Sequence, residues 1–185
     1  LNSPRPASDF THNYHNLKNQ YLYWIDNKDK NKHSNGSRYN LNEAELIAKH
    51  IKEAIEQGTY HYEPLAIITF YRAQVDKLKE ACIKYGLYDA EGKPVDKLDL
   101  SIGTVDAFQG REFKVVYLAT TYSIGEMDMN PFEKCRLNDN NLLCVALSRQ
   151  ENLLIVVGNK DDYRHENAKK YVPSLYEVNR ICNGG

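Results

Sequence analysis

The sequence has no phosphate-binding glycine loop, no paired-cysteine motif and no long apolar run, and each absence removes a class of function. Its nearest approach to a phosphate loop is "GLYDAEGK", Gly86 to Lys93. Five residues separate those glycines where the motif needs four, and Pro94 stands where a Ser or Thr would hold Mg²⁺. The stretch also follows a helical pattern rather than a strand, so it reads as a turn. No GxGxxG follows a strand, and there is no GxSxG and no HExxH. Dinucleotide binding, nucleophile-elbow hydrolysis and zinc proteolysis therefore lack support. The four cysteines, Cys82, Cys135, Cys144 and Cys182, lie far apart without a CxxC, which argues against a zinc site and against a disulfide framework. Cys82 and Cys144 fall on apolar helical faces, where a free thiol acts as a small core residue. The expected compartment is a reducing cytoplasm. His12 and His15 are three apart in a polar lead-in and read as solvated side chains, so no metal site is expected. No apolar run approaches the roughly 20 residues of a membrane span, and no basic-then-apolar leader opens the chain. The charges nearly cancel, 24 basic against 25 acidic side chains for a net −1. That balance neither demands nor excludes a nucleic-acid partner, because phosphate contacts depend on where cations sit. The chain opens on Leu1 rather than Met, as expected of part of a longer polypeptide.

The 185 residues, 42% hydrophobic and 26% charged, suit one soluble domain with a sizeable core. Residues 1–36 read as a polar lead-in with one strand, "YLYWID" (21–26), and an exposed loop. That loop, "NKDKNKHSNGSRYN" (27–40), carries lysines that read as solvated, with phosphate tracking as the alternative. From residue 37 a helix and strand alternation begins. "NEAELIAKHIKEAIEQG" (42–58) repeats Ala44, Ile47, Ala48, Ile51, Ala54 and Ile55 on one helical face. Asn40 or Asn42 can cap it, Glu43 and Glu45 suit its positive end, and Gly58 can stop it. "LAIITFY" (65–71) is a continuously apolar strand, and "RAQVDKLKEACIKYG" (72–86) a second amphipathic helix. "LDLSIGTV" (98–105), "FKVVYLATT" (113–121) and "NLLIVVGN" (152–159) are further strands. "NNLLCVALSRQ" (140–150) reads as a helix, and 163–182 as helical with a break near Pro173. The pattern predicts an α/β domain over 37–185: a parallel sheet with right-handed crossovers and helices on both faces.

Three polar clusters adjoin those strands: "ITFYRAQ" (68–74), "GTVDAFQGRE" (103–112) and "VALSRQ" (145–150), the last with Arg149 ending an apolar helix. The knot Asp106-Ala107-Phe108-Gln109-Gly110-Arg111-Glu112 lies just past a strand, and parallel sheets bind ligands at their carboxyl edges. The knot is therefore expected on that edge.

"SRYNLNEAE", "IITFYRAQ", "TVDAFQGREFKVV" and "VALSRQENLLIVVGN", in that order, resemble the second RecA-like motor domain of superfamily 1 helicases, in the branch of the RNA-surveillance helicases. The resemblance covers about residues 37–160, with "VDAFQGRE" and "VALSR…IVVGN" similar to motifs V and VI and "ITFYRAQ" to motif IV. It implies a RecA-like domain that shares ATP and Mg²⁺ with an N-terminal RecA-like domain of the same protein, which would bring the phosphate loop and most of the metal binding. It further implies a parent that moves 5′ to 3′ on single-stranded DNA or RNA. By this resemblance Arg149 is the catalytic arginine finger, a group that stays charged and offers phosphate a planar fork. Gln109, Gly110, Arg111 and Glu112 bind the nucleotide. Thr69, Tyr71, Gln74, Thr104, Val105 and Asp106 contact the nucleic acid, with Tyr71 either stacking on a base or serving as a core aromatic at a strand end. The chain departs from the family where Arg-Arg-Leu-Asn is common before motif VI: here stand Asn141, Leu142, Leu143 and Cys144. Gln150-Glu151 follows Arg149 where Ala-Lys or Ala-Arg is usual, and Lys114 stands where many members have Asp. Arg136 could replace a lost guanidinium only if loop 123–139 folds back. These losses support the alternative of a degenerate RecA-like module that binds nucleic acid or protein without motor activity. A small-molecule α/β enzyme has no nucleophile–base pair in its favour.

Overall fold

Helix and strand alternate along this chain because apolar residues switch between runs of five and a helical stripe. The computed structural model describes residues 12–18, 20–60, 62–95 and 97–184. Five strands form one parallel sheet: β1 (Leu22–Asp26), β4 (Leu65–Thr69), β5 (Leu100–Thr104), β6 (Phe113–Ala119) and β7 (Gln150–Gly158), in spatial order β1-β7-β6-β4-β5. Every residue of β4 is buried, as a strand covered on both faces requires. One face carries α1 (Leu41–Glu56) and α2 (Arg72–Lys84) over a core that includes Ile47, Ile51, Leu78, Cys82 and Tyr117. The other carries α3 (Asn140–Ala146), α4 (Glu166–Tyr171) and α5 (Pro173–Asn183) over a core that includes Phe113, Phe132, Leu143 and Tyr163. This is the predicted RecA-like α/β domain with helices on both faces. Among the described residues no helix is long and apolar enough to cross a membrane.

Several boundaries differ from the sequence reading. The strand assigned to the lead-in is β1, which pairs with β7 along its whole length, so the folded unit begins before residue 37. The rest of the lead-in expected over 1–20 falls largely on residues 1–11, outside the described residues. His15 is not solvated: its ring stacks on His50, centroids 4.2 Å apart, and its Nε2 lies 2.7 Å from the Tyr117 hydroxyl. The loop 27–40 contains a hairpin, β2 (Lys32–Ser34) and β3 (Ser37–Tyr39), which pairs only with itself. Its tip is Asn35-Gly36, with φ of 46° and 75°, the left-handed values that such a two-residue turn needs. The stretch 86–93 is a turn, closed by Asp89, whose carboxylate accepts from the backbone of Glu91 and Lys93. Helix α3 stops at Ala146, so Arg149 lies in the turn that leads into β7 and not on the helix. Cys144 is exposed, because so short a helix turns only Leu143 and Ala146 inward.

Candidate functional site

Because all five strands are parallel, one edge of the sheet gathers every carboxyl end and the other every amino end. The residues between Thr104, which ends β5, and Phe113, which starts β6, must return the length of a strand, about 17 Å at ~3.3 Å per residue. The polar knot therefore does not sit wholly on the carboxyl edge. Val105–Phe108 form a single 3₁₀ turn that anchors the connection through buried Val105 and Phe108. Asp106 faces the carboxyl edge, and Gln109 to Glu112 arrive exposed at the amino edge. Gly110 has φ 79°, a left-handed turn that a side chain would strain.

At the amino edge Arg149 meets this connection. Phe113 N donates to Arg149 O at 2.9 Å. The guanidinium is itself held three ways: Nε donates to Val145 O at 3.0 Å, Nη1 to Arg111 O at 3.2 Å and Nη2 to Ser148 Oγ at 2.9 Å. Arginine has five N–H donors in a fixed fork. With three engaged, one hydrogen remains on each terminal nitrogen, so the group is oriented and can still donate twice. Arg111 lies over the ring of Phe113 at 5.0 Å. Lys114 and Glu151, two of the family departures, pair with each other beside this cluster. Asn141 is exposed and Leu142 half-buried. Arg136 does not replace the missing guanidinia. It sits at the opposite edge, 3.6 Å from Asp106.

At the carboxyl edge a cavity of about 540 Å³ opens between Tyr71, Thr104, Asp106, Arg136 and the β2–β3 hairpin. Its lining carries Arg38, Arg72, Lys134 and Arg136 against one acid, Asp106. That is a formal +3 on the wall of a chain whose net charge is −1. The Tyr71 hydroxyl is buried without a well-formed hydrogen bond, facing the Arg136 backbone, and burial raises its pKa. Cys135, also in the lining, has its thiol pushed up by burial to about 11, so it stays protonated and unreactive.

Thr69, Gln74 and Val105, expected to touch nucleic acid, have no side-chain surface to offer, and Tyr71, 6% exposed and packed in the core, borders the cavity as a core aromatic with no open ring face for stacking. Thr69 and Gln74 belong to a polar network beneath the cavity, and its centre is Glu43. The Glu43 side chain is 1% exposed and accepts from Thr121 N (2.8 Å), Thr121 Oγ1 (3.0 Å) and Gln74 Nε2 (3.0 Å). Gln74 also bridges Asn40, accepting from its N–H at 2.8 Å and donating to its carbonyl at 3.1 Å. Thr121 Oγ1 lies 3.2 Å from Thr69 Oγ1, which accepts from Tyr71 N at 3.3 Å. Burial pushes the Glu43 carboxyl up to about 8 against these hydrogen bonds. The network ties the start of α1, the first turn of α2 and the ends of β4 and β6 to the Tyr71 backbone. The sequence pattern marks Glu43 only as a dipole partner of α1. The signal for its burial was its place on the apolar stripe of Ile47 and Ile51, four and eight residues on. Arg38, Arg72 and Lys134 gave no signal, because single cations in loops and at helix starts are usually solvated.

A family profile described as an AAA domain matches residues 3–161. DNA polymerase alpha-associated DNA helicase A of Saccharomyces cerevisiae is 33% identical over 124 residues, which cover 67% of this chain and 16% of that protein. Putative helicase MOV-10 of Gallus gallus is 31% identical over 157 residues, 75% of this chain and 15% of the relative. Helicase sen1 of Schizosaccharomyces pombe is 28% identical over 128 residues, 68% and 7% respectively. The chain thus spans about a sixth of the first two relatives and less of the third.

Proposed function

The chain belongs to the AAA domain family, as a superfamily 1 helicase-like RecA-fold domain, and from that premise we propose that it is the C-terminal motor domain of an ATP-dependent helicase acting on single-stranded nucleic acid. Arg149 is the arginine finger. Gln109, Gly110, Arg111 and Glu112 form the nucleotide-facing wall. Tyr71, Thr104 and Asp106 line the nucleic-acid groove, while Thr69, Gln74 and Val105 hold that groove from beneath. ATP and Mg²⁺ supply the phosphoryl group and its charge neutralisation, held mainly by the N-terminal RecA-like domain of the same protein. The groups at the amino edge are the guanidinia of Arg149 and Arg111, the Gln109 amide and the Glu112 carboxylate, which suit the phosphates and ribose of a nucleotide.

The observation that carries the reading is the state of Arg149. Its guanidinium is oriented by two backbone carbonyls and one hydroxyl, yet keeps a hydrogen on each terminal nitrogen. Two donors on neighbouring nitrogens suit phosphoryl oxygens, where charge grows in the transition state. Arg111 O, one of the carbonyls that hold it, lies on the connection whose other end bears Asp106 at the groove. A change at the nucleotide thus reaches the strand-binding edge through one short backbone path, provided each ligand favours a different arrangement of it.

The test is Arg149→Ala in the natural protein. Turnover should fall by about 10³ or more, with nucleotide affinity largely kept. If affinity falls with turnover, Arg149 is a binding residue rather than a finger. If turnover survives, the assignment is wrong. The second reading, a binding module without motor activity, draws on exposed Asn141 and half-buried Leu142 where the family has two arginines. It predicts salt-dependent affinity for single strands that ATP does not change.

A further inference from the structure

Arg38, near the end of the β2–β3 hairpin, borders three adjoining cavities. Besides the 540 Å³ cavity beside Tyr71 and Arg136, it lines one of about 310 Å³ against Met127 and Met129 and one of about 360 Å³ against Lys30 and Ser123. The three share Arg38, the first two also Lys134 and Cys135, and the last two Asp128; Glu133 and Glu126 join Asp128 in the second and third, so the positive wall ends near Arg38. We infer that the β2–β3 hairpin is a clasp on the bound strand: Arg38 holds a backbone phosphate beyond the stretch seated between Tyr71 and Arg136, and the strand runs on past it toward Met127 and Met129. This rests on the proposed nucleic-acid groove and extends it to a residue outside the stretches similar to motifs IV, V and VI.

The Arg38 guanidinium is oriented without being neutralised. Its Nη1 donates to His33 Nε2 at 3.1 Å, and its Cζ lies 5.1 Å from the centre of the Tyr122 ring. That ring is itself fixed, its hydroxyl donating to Asp128 Oδ2 at 3.2 Å and accepting from Phe132 N at 3.2 Å. Among the described residues Arg38 has no carboxylate partner, whereas Arg136 has Asp106. A half-buried guanidinium set against a ring face, with its fork open to a groove, is suited to an anion from outside the chain. The hairpin shares no backbone pairing with the main sheet but is held at its stem. Asn31 Oδ1 accepts from Ser123 N and Oγ at 2.9 and 2.8 Å, Gln74 bridges Asn40, and Ser37 Oγ accepts from Ala73 N at 3.2 Å. Arg38 is thereby presented on a fixed support beside the groove. Beyond Arg38, Met127 and Met129 are 94% and 93% exposed, flexible apolar surface of the kind a base can lie against.

The experiment measures binding of fluorescein-labelled single strands to the natural protein across a salt series, with one strand just long enough for the first cavity and one several nucleotides longer. Arg38→Ala should weaken the longer strand severalfold, lower its slope of log affinity against log salt by about 0.7, and weaken the short strand distinctly less, since Arg38 only borders the first cavity. Arg38→Lys should keep the slope. Should alanine unfold the chain, as a melting curve would show, Arg38→Gln repeats the test with a stem that still covers Tyr122. Unchanged long-strand affinity and slope in Arg38→Ala, with both reduced in Arg136→Ala, would overturn the clasp and leave the groove standing. Equal weakening of both strands would also overturn it, by confining Arg38 to the first cavity. No effect from Arg38, Arg72 or Arg136 would remove the groove and the clasp together.

Discussion

Glu43→Gln should remove from this chain's stability a component that falls between pH 4.5 and about 8. In the fold, burial raises the Glu43 carboxyl from 4.5 to about 8, so over that interval the folded chain holds a proton that the unfolded chain has released. Stability from this group is therefore complete below 4.5, falls as pH rises toward 8, and levels off above it. At about 1.36 kcal/mol per pH unit, the interval from 4.5 to about 8 sets a ceiling of about 5 kcal/mol. That rivals the whole folding free energy of a small domain, about 5–15 kcal/mol. The hydrogen bonds survive either state. A protonated Oε1 donates to Thr121 Oγ1, which turns its own hydrogen to Thr69 Oγ1, while Oε2 goes on accepting from Thr121 N. Glutamine keeps the volume and the neutral charge, so at pH 5 the variant should lie within about 1–2 kcal/mol of the parent. Above pH 8 it should be the more stable of the two. Urea denaturation followed by circular dichroism at half-unit pH steps gives both curves. Because His15 and His50 act alike in both proteins, the difference between the curves isolates Glu43, and a difference that stays constant over this interval would refute the buried neutral carboxyl and the proton order drawn through Thr121.

Two other perturbations read different parts of the fold. A Cβ added at Gly158 would lie 2.3 Å from Thr120 Oγ1, so Gly158→Ala should cost about 1–3 kcal/mol by overpacking. Thr120→Ala in the same chain should recover part of that loss in thermal denaturation, and no recovery would mean the clash is not the cause. At the back of the sheet the Tyr117 hydroxyl serves both His15 Nε2 and His50 Nδ1, among the rings of Tyr60 and Tyr23 and near Glu53. Burial lowers His15 from 6.5 to about 3 and lowers His50 as well. Their contribution is thus present above pH 6.5 and is lost as pH falls toward 3. Hydrogen exchange should show the amides of Asn16 and Leu17 opening with acid before those of β6, and simultaneous loss would dissociate the two events.

The layered fold was legible because its signals are local. Five-residue apolar runs, helical stripes and stops such as Gly58 and Gly86 are written in neighbouring residues, and alternation of strand and helix leaves few topologies besides a parallel sheet. The residue types of the site were legible for the same reason, since Arg149 and the Gln109–Glu112 stretch lie in contiguous motifs. Which edge of the sheet each residue reached was not. The knot carries its two ends to opposite edges because β5 and β6 run the same way with β4 between them, a fact of strand order and not of composition. Thr69 and Gln74 turned inward because Glu43, 31 residues before Gln74 and 78 before Thr121, arrived beneath them and needed donors. Strand β1 joined the sheet through β7, 132 residues away, and Arg136 went to Asp106 rather than to the amino edge. The sequence by itself determined the elements, their layering and the chemical groups available. Tertiary structure alone decided which groups meet, because a buried charge and a sheet edge are satisfied by partners that no local pattern specifies.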